Sequence, residues 1–329
     1  MKRSIAMAAL VFSLTAGAWS LPLPSLDNFQ NAFSGFTGDM AGSLAANSTI
    51  GSNWSDAFIG KFPHFGVGIS TGSTFVAAGS LTPMFDAMSV SLPTALKGLG
   101  MPIPTAVATL KLGLPFLPMD IGVKGGYMPP AAGAGIKSLT GVSADFTSLG
   151  VQLRYALIRQ NLLLPNLSLG AAYNYQKGSL KAPTGLGSQS LSVLTNSITL
   201  SSPDLNLAWT SSTFDFTAQV SKQLLFLVPY LGAGYTIGSS SVTGGLDSTI
   251  TTDYPTGLSG LAAAIVASGG TAPDFSATGF SYTATSATPV LRVYGGLSFR
   301  IILVDIDTQV IYVPLTQGLG LSATLRVQL

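Results

Sequence analysis

Residues 319–329 read LGLSATLRVQL, and the pattern alternates without a break. Leu319, Leu321, Ala323, Leu325, Val327 and Leu329 share one face, while Gly320, Ser322, Thr324, Arg326 and Gln328 share the other. Strict period-2 alternation sends successive side chains to opposite faces of a strand. An apolar face backed by one carrying Arg and Gln suits a strand between lipid and an aqueous lumen. The expected fold class is therefore all-β. It is a transmembrane antiparallel β-barrel of about ten strands (roughly 8–14) that ends in its closing strand.

Composition agrees. Hydrophobic residues make up 47% of the chain and mean hydropathy is +0.48, yet only 9% of residues are charged. Soluble domains carry roughly 25% charged residues, and so few charges would make a poor soluble surface. No helix-length apolar run follows the N-terminus. Leu224–Val228 is stopped at once by Pro229, whereas a spanning helix needs about 20 apolar residues. A membrane protein without such helices has to be a closed barrel, the one other way to leave no backbone unpaired in lipid.

Lys2 and Arg3 precede an apolar stretch, Ile5–Gly17, and Ala18-Trp19-Ser20 places small residues for cleavage. Residues 1–20 are thus expected to be a signal peptide for Sec export through the periplasm to the outer membrane. Without Lys2 and Arg3, 15 − 2 = 13 basic residues meet 13 acids, all of them Asp. A formally neutral chain with no clustered Lys/Arg face is expected to bind no nucleic acid; the expected partner is outer-membrane lipid.

Residues 21–60 carry a helical pattern. Leu26, Phe29, Phe33, Phe36, Met40 and Leu44 recur at spacings of three and four, with Ser25 or Asp27 as a cap and Gly35, Gly38 and Gly42 weakening the helix. Such an apolar face has to be covered. Two placements stay open: packing on the periplasmic rim, or a plug inside the lumen whose face is Phe29, Phe33, Phe36 and Met40.

Residues 61–329 read as the barrel. A first strand spans Phe62–Thr71, and an insertion at 76–104 contains Pro83, Pro93, Pro102 and Pro104, with room for short helices in Met84–Leu99. Four hairpins follow: Ala106–Leu114 with Ile121–Met128, Ser148–Leu157 with Leu167–Gln176, Phe214–Ser221 with Tyr230–Gly238, and Leu291–Arg300 with Val304–Val313. Their turns are short and apolar. The connections between them, 129–145, 178–203 and 239–288, are long and polar, as is the earlier loop at 72–104. This asymmetry is that of outer-membrane barrels, and the strands sum to 1 + 8 + 1. Within the last connection, Thr256–Ser268 reads equally as a short helix or a Gly/Ala-rich tip. At 198–222, Leu205, Leu207 and Trp209 fall on odd numbers but Phe214, Phe216, Ala218 and Val220 on even ones. A bulge re-registering one long strand is preferred to a hairpin at Ser211-Ser212.

Chemistry-bearing motifs are sparse. The single His64 has no nucleophile-elbow motif to serve. With no Cys, no Glu and no Asp at calcium-loop spacing, neither a metal nor a cofactor is expected, and the chain does not read as an enzyme. With large apolar residues facing lipid, the inward set is Lys111, Lys124, Gln152, Arg154, Asp215, Gln219, Arg292, Arg300, Asp305, Asp307, Arg326 and Gln328, a net charge of 6 − 3 = +3. Arg300, Asp305, Asp307 and Arg326 are expected to pair as a lumen salt-bridge network, because confined charges seek partners. Lys111, Lys124, Arg154 and Arg292 have no evident partners. They are the lumen-lining candidates for an anionic or apolar small solute. Outward aromatics, among them Tyr127, Tyr155, Tyr173, Trp209, Tyr235 and Tyr312, are expected to mark the interfaces.

PHFGVGIST (63–71) and WTSSTFDFTAQVSKQLLFLVPYLGAGYTIG (209–238) resemble uncharacterised outer-membrane barrel proteins of spirochaetes, Treponema-type. Those families look distantly like the long-chain fatty-acid transporter barrels, which have an N-terminal hatch, and like OmpW-type barrels for apolar solutes. The chain departs from them in ending on Leu329 rather than Phe and in being short for a fourteen-stranded transporter. The first functional expectation is a narrow channel or uptake protein for small solutes, hydrophobic ones included, gated by residues 22–60. The alternative is a structural or surface-exposed barrel with binding loops and a blocked lumen.

Overall fold

A computed structural model describes residues 26–87, 92, 97–128, 143–183, 187–287 and 289–329. The expected signal peptide and most of the 129–145 connection lie outside these residues, as does the Phe29 side chain. Helix α1 (Leu26–Asn47) precedes strand β1 (Phe65–Val76), helix α2 (Ala78–Ala87) and the hairpins β2 (Met101–Gly113)/β3 (Met119–Met128) and β4 (Ser143–Ile158)/β5 (Asn166–Pro183). Then come β6 (Gln189–Val193), β7 (Asn196–Ser221), β8 (Leu227–Thr252), helix α3 (Gly257–Ala267), β9 (Asp274–Ser276) and β10 (Gly279–Ser286). The chain ends with β11 (Val290–Ile301), β12 (Val304–Val313) and β13 (Gly318–Gln328).

The strands close on themselves. The order β7-β5-β4-β3-β2-β1-β13-β12-β11-β8 returns to β7 through β7–β8 pairing, so ten antiparallel strands form the ring. The closing strand lies between the first strand and β12, with Arg326 opposite Gly68 on one side and Asp305 on the other. The alternation read from the sequence is the observed one. In β2, Met101, Ile103, Thr105, Val107, Thr109 and Lys111 point inward and are buried, whereas Leu110 and Leu112 are exposed. Exposed Val67, Ile69, Leu149, Val151, Phe214, Phe216, Leu231, Leu325 and Val327 continue that apolar band around the ring. An apolar belt of this extent fits lipid rather than water.

The two ends differ. At the turn end lie the short connections 114–118, 159–165, 222–226 and 302–303; at the loop end lie α2, α3, β6, β9 and β10. β7 and β8 each run for 26 residues, where about 9–11 suffice to cross a bilayer. Their outer halves therefore stand above the belt. There β6 adds to β7, and β10 adds to β8 with β9 beyond it. At the tip, the Ser197 N–H and hydroxyl donate to Asp253 at 2.7 and 3.0 Å and hold its carboxyl below the usual range.

Four expectations change here. The stretches 178–203 and 239–288 are mostly strand rather than loop, because a polar sheet above the membrane lacks the apolar signal that marks a lipid-facing strand. In the first insertion helix α2 covers Ala78–Ala87 and β2 already begins at Met101, while most of the Met84–Leu99 stretch expected to hold short helices lies outside the described residues. Thr256–Ser268 contains helix α3. β7 is one strand, but it keeps its parity from Leu207 to Ser221: the register shift lies between Ser201 and Asp204. Leu207 and Trp209 point inward, so Trp209 is not an interface aromatic. Above the belt the outside meets water, and the apolar face turns in to meet α1.

Candidate functional site

Residues 26–60 thread the ring from the loop end to the turn end. Phe33, Phe36, Met40 and Leu44, one stripe of α1, are buried in an apolar cluster with Leu207, Trp209, Val242, Leu246, Phe280 and Tyr282 of the raised sheet. The Phe33 ring lies against Tyr282 with centroids 6.4 Å apart. Lower down, Thr74 donates to the Ser43 carbonyl at 2.9 Å, and Asn47 donates to the Ile103 carbonyl at 2.6 Å. Ser48 Oγ meets Thr213 Oγ1 at 3.3 Å. The plug placement is the observed one, with the helix entering from above and an irregular stretch, 48–60, continuing through the lumen.

Below the helix, plug and wall are joined by charge. Lys124 donates to the carbonyls of Ser48 and, at 3.0 Å, Ile50. Lys111 donates to the Ser52 carbonyl and, at 2.9 Å, to Gln152 Oε1. Arg154 holds Asp120 through two bonds of 2.8 Å and donates to the Asp56 carbonyl at 2.6 Å. Asp120 meets the plug as well, since the Ile59 N–H donates at 3.3 Å to the same Oδ2 that Arg154 holds.

Near the turn end, Asp56 joins a five-membered network. Arg300 and Arg326 both reach Asp56 Oδ2, at 2.5 and 2.7 Å. Arg300 also pairs with Asp305 at 2.7 Å, and Arg326 pairs with Asp305 at 3.2 Å and Asp307 at 2.8 Å. Two cations, Arg326 and Lys111, lie over the Trp54 ring, each 4.9 Å from its centroid. A Cβ on Gly66 would stand 2.6 Å from the Trp54 ring, so this strand position has room only for glycine. On the opposite wall Arg292 pairs with Asp215 at 2.6 Å and lies over the Tyr294 ring at 4.7 Å. Tyr294 donates to Gln219, whose amide donates to the Trp54 carbonyl at 2.7 Å.

The structure thus brings Arg300, Asp305, Asp307 and Arg326 together. It also supplies partners for Lys111, Lys124, Arg154 and Arg292, which the sequence left open: three bind the plug and the fourth binds Asp215. Two participants were missed. Asp120 reads as the last residue of an apolar turn but is the second residue of β3 and points inward. Asp56 lies in a stretch without periodicity. Counting Asp120, the wall carries 6 − 4 = +2 among the described residues. His64 lies at the turn end, its Nδ1 3.0 Å from the Leu329 carbonyl. Between plug and wall a void of about 10 Å³ lies among Ser52, Lys111, Lys124 and Gln152, the size of one water, and at the loop end a wider space of about 390 Å³ separates Gln30 and Asn31 from Ser192–Leu194 and Ser268–Thr271.

No protein-family model matches the sequence, and no curated protein is detectably similar to it. Among solved structures, the outer membrane protease OmpT of Escherichia coli aligns over 81% of this chain and 97% of its own, at 10% identity and a TM-score of 0.38. The translocator domain of the autotransporter NalP from Neisseria meningitidis aligns over 91% and 96%, at 8% identity and a TM-score of 0.29. A FadL homologue of Pseudomonas aeruginosa aligns over 95% and 99%, at 10% identity and a TM-score of 0.28.

Proposed function

We propose that this protein is a self-plugged outer-membrane barrel, closed at rest by residues 26–60 and admitting small polar solutes, anions preferentially, when that segment leaves the lumen. The turn end faces the periplasm, where single-chain barrels keep their short turns. The observation that carries the reading is the way Lys111 and Lys124 spend their ammonium groups on plug carbonyls. Withdrawal of the plug would expose them, with Gln152, Asn174, Thr217 and Gln309, as a polar wall of net charge 6 − 4 = +2. Rings of Lys and Arg favour anions. An apolar cargo fits the outer half better, where the α1 stripe would uncover Leu207, Trp209, Val242 and Tyr282. The resemblance to spirochaete barrels supports the same general class.

A second reading keeps the lumen shut permanently and assigns function to the raised sheet of β6–β10. It is favoured by the density of plug contacts from Phe33 to Ile59. Planar-bilayer conductance separates the two. The full chain should be silent, and a chain lacking residues 22–60 should conduct with anion selectivity. Silence of the shortened, detergent-folded barrel would contradict the channel reading.

A further inference from the structure

The turn end carries an exposed apolar rim that the plugged lumen does not use. Phe116, Leu225 and Ile302 each sit in a separate turn with φ of 64°, 55° and 58°. L-residues avoid this region, and a β-branched residue there is an outlier. Glycine or asparagine would suit the backbone better. Instead the three are large, apolar and 93%, 87% and 89% exposed. The remaining turn, between β4 and β5, has no such backbone but exposes Leu162 and Leu163. Phe62, beside the start of β1, closes the circle.

The rim is built rather than loose. Lys222 donates to the carbonyls of Asn161, Leu162 and Leu164 at 3.0, 3.0 and 3.2 Å. Gln160 and Gln223 exchange two bonds between the same turns, and the Arg300 N–H donates to the Phe226 carbonyl at 2.7 Å. The charged side chains that reach its surface are basic: Arg159 is exposed and Lys61 and Lys222 are half-buried among the apolar tips, while Asp56, Asp120, Asp305 and Asp307 are buried and paired.

We propose that this rim is a lipid-docking surface, sunk into the phospholipid leaflet so that the tips lie among acyl chains and Lys61 and Arg159 hold anionic headgroups. Two features select lipid as the occupant. The tips continue the apolar belt: Leu110 and Leu112 lead to Phe116, Phe299 and Ile301 lead to Ile302, and past Lys222 and Gln223 the β7 side resumes with Leu224, Leu225 and Phe226. At this end the described residues include basic side chains and no exposed acidic one, which complements an anionic headgroup layer. The barrel would then be held at a fixed depth by its turns. This rests on the reading that the barrel spans a membrane.

The absence of native cysteine allows a direct test on the full chain. Phe116→Cys, Leu225→Cys and Ile302→Cys, each carrying a nitroxide, are reconstituted in vesicles of phosphatidylethanolamine with a minority of phosphatidylglycerol. Collision with oxygen is compared with collision with a water-soluble nickel chelate. Leu110→Cys in the belt and Leu194→Cys at the loop end supply the lipid and water references. The tips should resemble position 110. Tips resembling position 194, with position 110 in lipid, would overturn the docking surface while leaving the spanning barrel intact. Water-like behaviour at position 110 would overturn the spanning reading itself. Lys61→Gln and Arg159→Gln should each lower phosphatidylglycerol enrichment around the protein, by about fivefold for a basic residue at an anionic surface. Unchanged enrichment in both would contradict the headgroup role.

Discussion

Arg326 of the closing strand holds Asp56 of the plug at 2.7 Å, with Arg300 on the same carboxylate oxygen at 2.5 Å. The strand that completes the cylinder therefore also fastens what fills it. Barrel closure and plug docking share one ion network, in which Arg300 and Arg326 each bind a wall carboxylate as well as Asp56 of the plug.

Removing Asp56 should loosen the plug without dissolving the ring. In Asp56→Ala, Arg326 keeps Asp305 and Asp307, but Arg300 and Arg326 lose their shared anion in a buried site. Breaking a buried pair costs about 3–5 kcal/mol, and the remaining carboxylates place this case near 3 kcal/mol or about a hundredfold in plug occupancy. Intermittent conductance in planar bilayers is the expected signature. A silent Asp56→Ala barrel would show that the network does not hold the plug.

Gly66→Val tests the same dock by shape. The added Cβ would meet the Trp54 ring at 2.6 Å, and Trp54 is fully buried against Arg326 and Lys111. Overpacking of this kind destabilises by about 1–3 kcal/mol. The urea midpoint of native tryptophan fluorescence should fall, whereas Gly35→Ala, in open space on α1, should hold or raise it, since alanine favours a helix over glycine.

Lys111 and Lys124 should set selectivity only after the plug has gone. In a barrel lacking residues 22–60, Lys111→Met with Lys124→Met lowers the wall from +2 to zero among the described charges. The reversal potential in a salt gradient should lose its anion preference. Retention of that preference would move the selective site elsewhere.

The direction of the plug makes a prediction about topology. Gln30 and Asn31 lie beside Ser192–Leu194 and Ser268–Thr271 at the loop end, and Ile59 lies beside Asp120 at the turn end. An epitope placed directly ahead of Leu26 should bind antibody on intact cells. Binding only after outer-membrane permeabilisation would reverse the orientation of the segment.

Much of this architecture is legible in the sequence where a side chain's neighbour is lipid. The alternation of 319–329, the hairpins and their short turns all follow from an apolar exterior against a polar interior. Legibility fails where that contrast fails. Leu207 and Trp209 read as lipid-facing because they are large and apolar, yet they cover α1 above the belt. β6 and the outer parts of β7 and β8 read as loops because their outward face is polar or small, while their apolar residues, among them Ile198, Leu200, Val242 and Leu246, turn inward. The lumen charges show a further gap. Arg300 and Asp305 are close in sequence and could be paired on paper, but Arg292 meets an Asp215 far away in the chain, and Lys111 and Lys124 meet backbone carbonyls, which no residue pattern announces.

The central claim, that residues 26–60 are the lumen's gate, is tested most directly by locking them in place. Ser48 and Thr213 face each other with their oxygens 3.3 Å apart, plug against wall, in a chain without other cysteines. Ser48→Cys with Thr213→Cys is built on the Asp56→Ala background and single-channel current is recorded. Oxidation should abolish the openings and reduction should restore them; openings that persist with the cross-link closed would contradict the account.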